Sequence, residues 1–285
     1  MGTAIFRRYV LIGAIGQGGV STVYSAVDAR RGRKLAIKVL APTLADSPSA
    51  RDDVRREALI TDRLRHPSVP RVFEYGEAPL PDGTVVPYVV FELLSGVPLT
   101  DRLARGPLDW PDAVRIAATA ADVLAVAHRR GVVHRDLTAR NVMVTPGGIK
   151  IIDFGLATAA LRTAESGPHP ILVRGDRPRL SHPKTAFARP ADDVYTLGVL
   201  LYEMIIGRSP YPPAVAATIV AAGRVAHLAP TPVLAIPGLP PEIPDLVRAC
   251  MAKTAEERPR SATVAVALWN ILTTHGRRLP TPSWN

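Results

Sequence analysis

Two periodicities divide this chain, and the change between them falls at Ser95-Gly96. Before it, apolar residues come in short, alternating, β-branched runs. These predict strands over residues 10–15, 22–28, 34–40, 69–75 and 85–91. Gly18-Gly19, Arg31-Gly32 and Leu80-Pro81-Asp82-Gly83 supply turns between them. One helix interrupts the series, over about residues 49–65. Beyond Gly96 the apolar spacing becomes helical. It predicts helices over 109–130, 194–206, 213–223, 243–252 and 261–274, with Asp109 as N-cap and Pro111 in the first turn of the first of them. Two short strands are expected around 142–144 and 150–152. Residues 155–192 carry weak periodicity and many Pro, Arg and Ser, and read as a long loop, a feature that in compact domains usually serves function. The tail from Gly276, with Pro280 and Pro282, is expected to fray. A chain written this way makes a small β-rich part and a larger helical one.

Composition narrows the class. At 285 residues the chain suits one large domain or two lobes, and 47% hydrophobic with 21% charged residues excludes disorder throughout. The one cysteine, Cys250, excludes an intrachain disulfide and a Cys-rich zinc site, and its apolar neighbours predict a buried helical thiol. No apolar run reaches the roughly 18–20 residues that span a membrane, and the stretch 194–206 is shorter and contains Glu203. Residues 7–15 faintly resemble a signal peptide, but the glycine-rich run after them offers a better reading, and Phe6 breaks a myristoylation motif at Gly2. A cytoplasmic protein is the expectation. The net charge of +10 raises the question of nucleic acid. Yet the arginines are scattered and aromatics are only 5%, too few for stacking platforms, so nucleic acid is not expected as the main partner.

Four segments carry chemistry. Gly16-Gln17-Gly18-Gly19-Val20-Ser21-Thr22-Val23 lies between two predicted strands. Such glycines allow backbone N–H groups to approach phosphate oxygens, although a plain glycine turn accounts for them equally. A dinucleotide fingerprint is disfavoured, because a strand follows rather than a helix and Ser21 stands where the third glycine belongs. Lys38 shares a strand face with Ala36 and Leu40, where an ammonium must find an anion or snorkel to an edge. Glu57 is its natural partner, since Val54, Glu57, Thr61 and Leu64 fall on one helix face; a solvated helix glutamate is the plain alternative. His134-Arg135-Asp136-Leu137-Thr138-Ala139-Arg140-Asn141 and Asp153-Phe154-Gly155 place two aspartates and an asparagine at loop–strand junctions. Oxygen donors of this kind suit Mg²⁺, whereas singly each reads as an ordinary turn residue. The remaining histidines show no metal spacing.

In this order and at these spacings the segments resemble the eukaryotic-like (Hanks-type) Ser/Thr protein kinases of bacteria, over about residues 6–275. Asp193-Val194-Tyr195-Thr196-Leu197-Gly198 resembles that family's central helix, and Glu257-Arg258-Pro259 its late arginine motif. The resemblance implies an α+β, two-lobed protein-kinase fold. Its parts would be an N-lobe over 1–92, a hinge over 93–96 and a C-lobe over 97–275, with an activation segment over about 153–192 and a tail over 276–285. It implies an ATP- and Mg²⁺-dependent enzyme that phosphorylates Ser/Thr hydroxyls of protein substrates in bacterial signalling, with self-association for autophosphorylation. Lys38 would hold the α/β-phosphates and pair with Glu57. Asn141 and Asp153 would bind Mg²⁺, and Asp136 would accept the substrate proton. Gly16 and Gly18 would cover the phosphates; backbone groups of Glu92 and Leu94 would meet adenine, beside Phe91 as gatekeeper; and Val23, Ala36 and Met143 would sandwich the ring.

Two departures from the family pattern bear on function. Thr138 stands where the Ser/Thr kinases have lysine, so Arg140, two residues later, is expected to supply the missing cation. No Ala-Pro-Glu motif follows the loop, so the glutamate that pairs with the family's equivalent of Arg258 is missing, and a Lys184–Arg258 pair would repel. A nucleotide-binding pseudokinase or scaffold is therefore the alternative. Arg135 suggests docking of a phosphorylated loop residue, with Thr158, Thr163, Ser166 and Ser181 as candidates.

Overall fold

The computed structural model describes residues 4–5, 8–18, 20–80, 82–154, 158–159, 189–211 and 230–275. They form two compact units. One takes in the described residues up to Ser95 together with Asp153 and Phe154, and the other holds the rest from Gly96 onward. The first is β-rich and the second mainly helical, as the two-lobed α+β fold requires.

The β-rich unit is built on strands β1 (Ala4–Ile5), β2 (Tyr9–Gln17), β3 (Ser21–Asp28), β4 (Arg33–Leu40), β5 (Val72–Pro79) and β6 (Val85–Glu92), with helix α1 (Pro48–Leu64) inserted after β4. The sheet order is β1-β2-β3-β4-β6-β5, antiparallel throughout. Central strands must be covered on both faces, and β4 shows it: Leu35, Ala36, Ile37, Val39 and Leu40 are all buried. Ser47 caps α1 by accepting from the Ala50 N–H, and Pro48 occupies its first turn. The helix buries Val54, Glu57, Ala58, Thr61 and Leu64. The strand expected over 69–75 begins later, at Val72. Residues before it are held in a turn, with Val69 N–H bonded to the His66 carbonyl and Ser68 N–H to His66 Nδ1, so Val69 is buried without being extended. Gly76 leaves room for an aromatic ring, since a Cβ there would lie 2.7 Å from the Tyr88 hydroxyl.

The helical unit contains β7 (Val97–Pro98), α2 (Leu99–Leu103), α3 (Trp110–Arg129), β8 (Val132–Val133), β9 (Val142–Thr145), β10 (Gly148–Ile151), β11 (Thr158–Ala159), α4 (Pro190–Ile206), α5 (Glu242–Cys250) and α6 (Ser261–His275). Helix α3 buries Ala113, Ala117, Ala120, Ala121 and Ala127 among larger residues, small side chains that let α6 and α4 pack closely. Gly198 on α4 serves the same end, because a Cβ there would fall 2.8 Å from Cys250 Cβ. Cys250 is buried as expected, and burial pushes its thiol up to about 12, far from reactivity. One local expectation holds in position only, and one is corrected. Asp109 occupies the N-cap position of α3, but its side chain makes no cap bond; only its carbonyl is used. Helix α4 begins at Pro190 rather than at 194, because Asp192 accepts from the Arg189 N–H and closes an earlier first turn. The helix expected over 213–223, the tail from 276, and Gly19, Thr163, Ser166, Ser181 and Lys184 lie outside the described residues. Among the described residues, no helix is long and apolar enough to cross a membrane.

Candidate active site

In the β-rich unit the structure brings Lys38, Glu57 and Asp153 together. Lys38 sits mid-strand on β4, opposite Val23 on β3 and Val89 on β6. Its Nζ donates to both carboxylate oxygens of Glu57, at 2.8 and 2.6 Å, and to Asp153 Oδ1 at 3.2 Å. Glu57 is only 5% exposed, so its charge needs this partner. Burial pulls the Lys38 ammonium toward neutrality, but Glu57 and then Asp153 overcome it and hold the lysine above its ordinary range. Burial holds Glu57 above the ordinary carboxylate value, with Lys38 opposing and Asp153 reinforcing the shift. Asp153 itself remains nearly half exposed.

The glycine-rich segment is a hairpin from β2 to β3, with Gly16 opposite Val23 and the Gly18 N–H bonded to the Ser21 carbonyl at 2.8 Å. Neither Gly16 nor Gly18 adopts positive φ. A Cβ at either would meet nothing closer than 3.5 Å. The hairpin itself thus tolerates side chains at both positions. Val23 and Ala36 line the neighbouring strands, Ala36 buried and Val23 half-buried. Glu92 ends β6, and its N–H is taken by the Arg71 carbonyl. Leu94, half-buried, has no hydrogen bond on its N–H or carbonyl among the described residues.

In the helical unit Asp136 and Asn141 belong to one short segment. Asn141 Nδ2 donates to the Asp136 carbonyl at 2.8 Å and to Asp136 Oδ2 at 3.2 Å. The buried ring of His134 supports the same loop: its Nδ1 accepts the Asp136 N–H, and Nε2 meets the Ile152 carbonyl. Arg140 and Thr138 are exposed, and Arg140 makes no ion pair among the described residues. Met143 is half-buried on β9. Backbone strain marks these places: among the described residues, the non-glycine residues with positive φ are Arg65, which ends α1, Arg135 and Asp153. Such conformations cost about 1–3 kcal/mol each and gather at functional sites.

The sequence marked Asp193 only as the start of a helix motif and did not show that it fixes this loop. Asp193, in the first turn of α4, is fully buried and accepts from the His134 N–H, the Arg135 N–H and His128 Nε2, each at 2.8 Å. His128 Nδ1 in turn meets the Ser261 hydroxyl at 2.9 Å. The available signal was an aspartate at the head of an apolar run, which resembles an ordinary helix start. Arg258, expected to lack its glutamate, is buried and satisfied. Its guanidinium reaches Asp192 Oδ1 at 3.3 Å and the carbonyls of Ala191, Ala252 and Lys253, and lies 4.9 Å from the Tyr195 ring centre. Arg258→Met is expected to cost about 3 kcal/mol or more, and Asp192→Asn about 1 kcal/mol because the carbonyls remain. Urea unfolding of the two variants checks the order.

The signature of the family described as "Protein kinase domain" matches residues 9–269. The chain belongs to that family. It is 35% identical over 293 residues to serine/threonine-protein kinase PknA of Mycobacterium tuberculosis, covering 99% of this chain and 65% of the relative. It is 37% identical over 212 residues to probable serine/threonine-protein kinase PknB of Corynebacterium glutamicum, covering 73% of this chain and 32% of the relative. The PknB of Mycolicibacterium smegmatis gives 38% over 209 residues, 72% of this chain and 33% of the relative. The kinase domain described here therefore spans less than two thirds of the length of these relatives, all bacterial proteins named as Ser/Thr kinases.

Proposed function

We propose that this kinase domain transfers the γ-phosphoryl group of ATP, with Mg²⁺, to Ser or Thr hydroxyls of proteins in bacterial signalling. The observation that carries the reading is the Lys38 ammonium, on a side chain 14% exposed, held between Glu57 and Asp153. A lysine fixed at that depth and kept charged suits triphosphate oxygens, and a snorkelling edge lysine would not need a 5% exposed carboxylate. The glycines support it as well. Because the hairpin does not need glycine at 16 or 18, the missing side chains leave space for a ligand to approach the backbone. The unbonded N–H and carbonyl of Leu94 offer the donor and acceptor that an adenine edge requires.

Residues of these types suit Mg²⁺, which takes one or two carboxylates plus phosphate oxygens rather than a full protein cage. Asp153 would supply the carboxylate. Asn141 would supply its amide oxygen, since its Nδ2 is committed to Asp136. The metal, when bound, neutralises charge on the phosphates. Asp136 orients the attacking hydroxyl and takes its proton, with Asn141 and His134 fixing the carboxylate and its main chain. Arg140 brings the cation that Thr138 cannot. The pseudokinase alternative is not favoured, because Lys38, Glu57, Asp136, Asn141 and Asp153 are all present.

The deciding experiment is incubation with labelled ATP and Mg²⁺, with sites mapped by mass spectrometry. Asp136→Asn is expected to lower incorporation by about 10²-fold or more. Equal incorporation by both proteins would overturn the assignment. For Arg140, kcat at saturating ATP should fall about tenfold or more in Arg140→Ala and change little in Thr138→Ala. Equal small effects would show that Arg140 serves only as a solvated surface charge.

A further inference from the structure

We infer that the hairpin between β3 and β4, together with Arg71, is a docking surface for an acidic segment of a protein partner. The residues after Asp28 read Ala29-Arg30-Arg31-Gly32-Arg33-Lys34, and all six are exposed. In sequence, Asp28 offsets part of this charge. In the structure it does not. Asp28 is fully buried, with Oδ2 on the Arg8 guanidinium at 3.1 Å and Oδ1 accepting the Arg30 N–H at 2.9 Å. The Arg8 guanidinium holds its carboxyl below the ordinary carboxylate value. Glu74 is committed inward too, accepting from Arg8, Tyr9 and Tyr88. The turn is fixed as well, for the N–H groups of Arg31 and Gly32 both bond the Asp28 carbonyl and Gly32 takes φ +63. A rigid tip thus faces outward with Arg30, Arg31, Arg33 and Lys34, none of which ion-pairs with a carboxylate among the described residues.

A second observation adds to the first. The Arg33 guanidinium lies 3.9 Å from the centre of the Phe73 ring, and that of exposed Arg71 lies 5.4 Å from the same centre. The ring attracts each cation, but the two repel each other, and neither Arg33 nor Arg71 ion-pairs with a carboxylate among the described residues. A carboxylate placed there relieves the repulsion and accepts forked hydrogen bonds from planar guanidinium groups. The composition of the patch selects among anions. Four of its five cations are arginine, matched to carboxylates. The tip carries no large apolar side chain to enter a lipid layer, and Arg33 already occupies the Phe73 ring that would stack a base.

The test measures binding of a fluorescent, unstructured peptide rich in Asp and Glu, by anisotropy, to the whole 285-residue chain. Arg30→Ser/Arg31→Ser removes two cations from the tip. Arg102→Ser/Arg105→Ser removes the same charge elsewhere and serves as the control. The hairpin variant is expected to bind about tenfold more weakly and the control little changed, with affinity falling as salt rises. Arg33→Gln/Arg71→Gln should weaken binding similarly, and thermal melts establish that each variant is folded. Equal loss in hairpin variant and control would reduce the effect to net charge and overturn the inference. So would absence of peptide binding at low salt. Tighter, hairpin-dependent binding of phosphatidylserine vesicles or of a DNA duplex would overturn the choice of partner.

Discussion

Lys38→Met is expected to lower phosphoryl transfer by roughly 10²-fold or more, the scale on which loss of one preorganised charge-stabilising donor is felt. The substitution keeps the length and volume of the side chain, so β4 should still pack between β3 and β6. What changes is the charge. Glu57 loses both of its short bonds to Nζ while remaining buried. A buried carboxylate without its cation costs several kcal/mol until it takes up a proton, so the thermal midpoint should fall together with activity. The double variant Lys38→Met/Glu57→Gln separates the two effects. It should recover much of the stability, because no charge is stranded, and none of the transfer. The lysine's own linkage runs upward: its folded value lies above the ordinary lysine value of 10.5, so its stabilisation is complete at neutral pH and is lost only as pH rises through that raised value. Initial rates and melts on the three proteins check this. Unchanged turnover in Lys38→Met would sink the assignment of the lysine.

The larger elements were legible because their apolar periodicity survives in the structure. The face Val54, Glu57, Thr61 and Leu64 is the buried face of α1, and the alternation around Lys38 lies on a central strand. Legibility failed where a residue's role comes from distant partners. Val69 looks like strand, but His66 draws its backbone into a turn. The two-residue strands β7 and β8 have too few side chains to show any period; they exist because β9 and β11 pair with them. At Gly96 a Cβ would lie 2.1 Å from the Val144 carbonyl, a close approach that no local pattern announces. Arg258 shows the limit of motif reasoning in the other direction. The absent glutamate was legible, but Asp192 and three carbonyls supply what it would have given. Asp28 behaves likewise, an acid in the sequence whose charge is spent inside the fold.

Asp193→Ala is expected to be the most damaging single change in the helical unit. The carboxylate accepts from two backbone N–H groups and one imidazole N–H, all within a buried region. Removing it strands three donors, each costing about 1–3 kcal/mol when left without water or a partner. The total is comparable to much of the 5–15 kcal/mol that holds a typical domain together. The damage reaches the chemistry by a short path. Arg135 is held at φ +71, a conformation that needs its surroundings to enforce it, and Asp136 follows directly. Freed from Asp193, Arg135 can relax and Asp136 loses its orientation. Asp193→Asn is the informative companion. It keeps one acceptor oxygen but turns an NH₂ group toward donors, so stability should fall less than in the alanine variant. Transfer should still drop by about 10²-fold, because a shift of about 1 Å in Asp136, the proposed base, is felt on that scale. Urea unfolding measures the first quantity and single-turnover transfer the second. Asp193→Ala with stability within about 0.5 kcal/mol of the parent and unchanged turnover would show that the loop is held by other contacts.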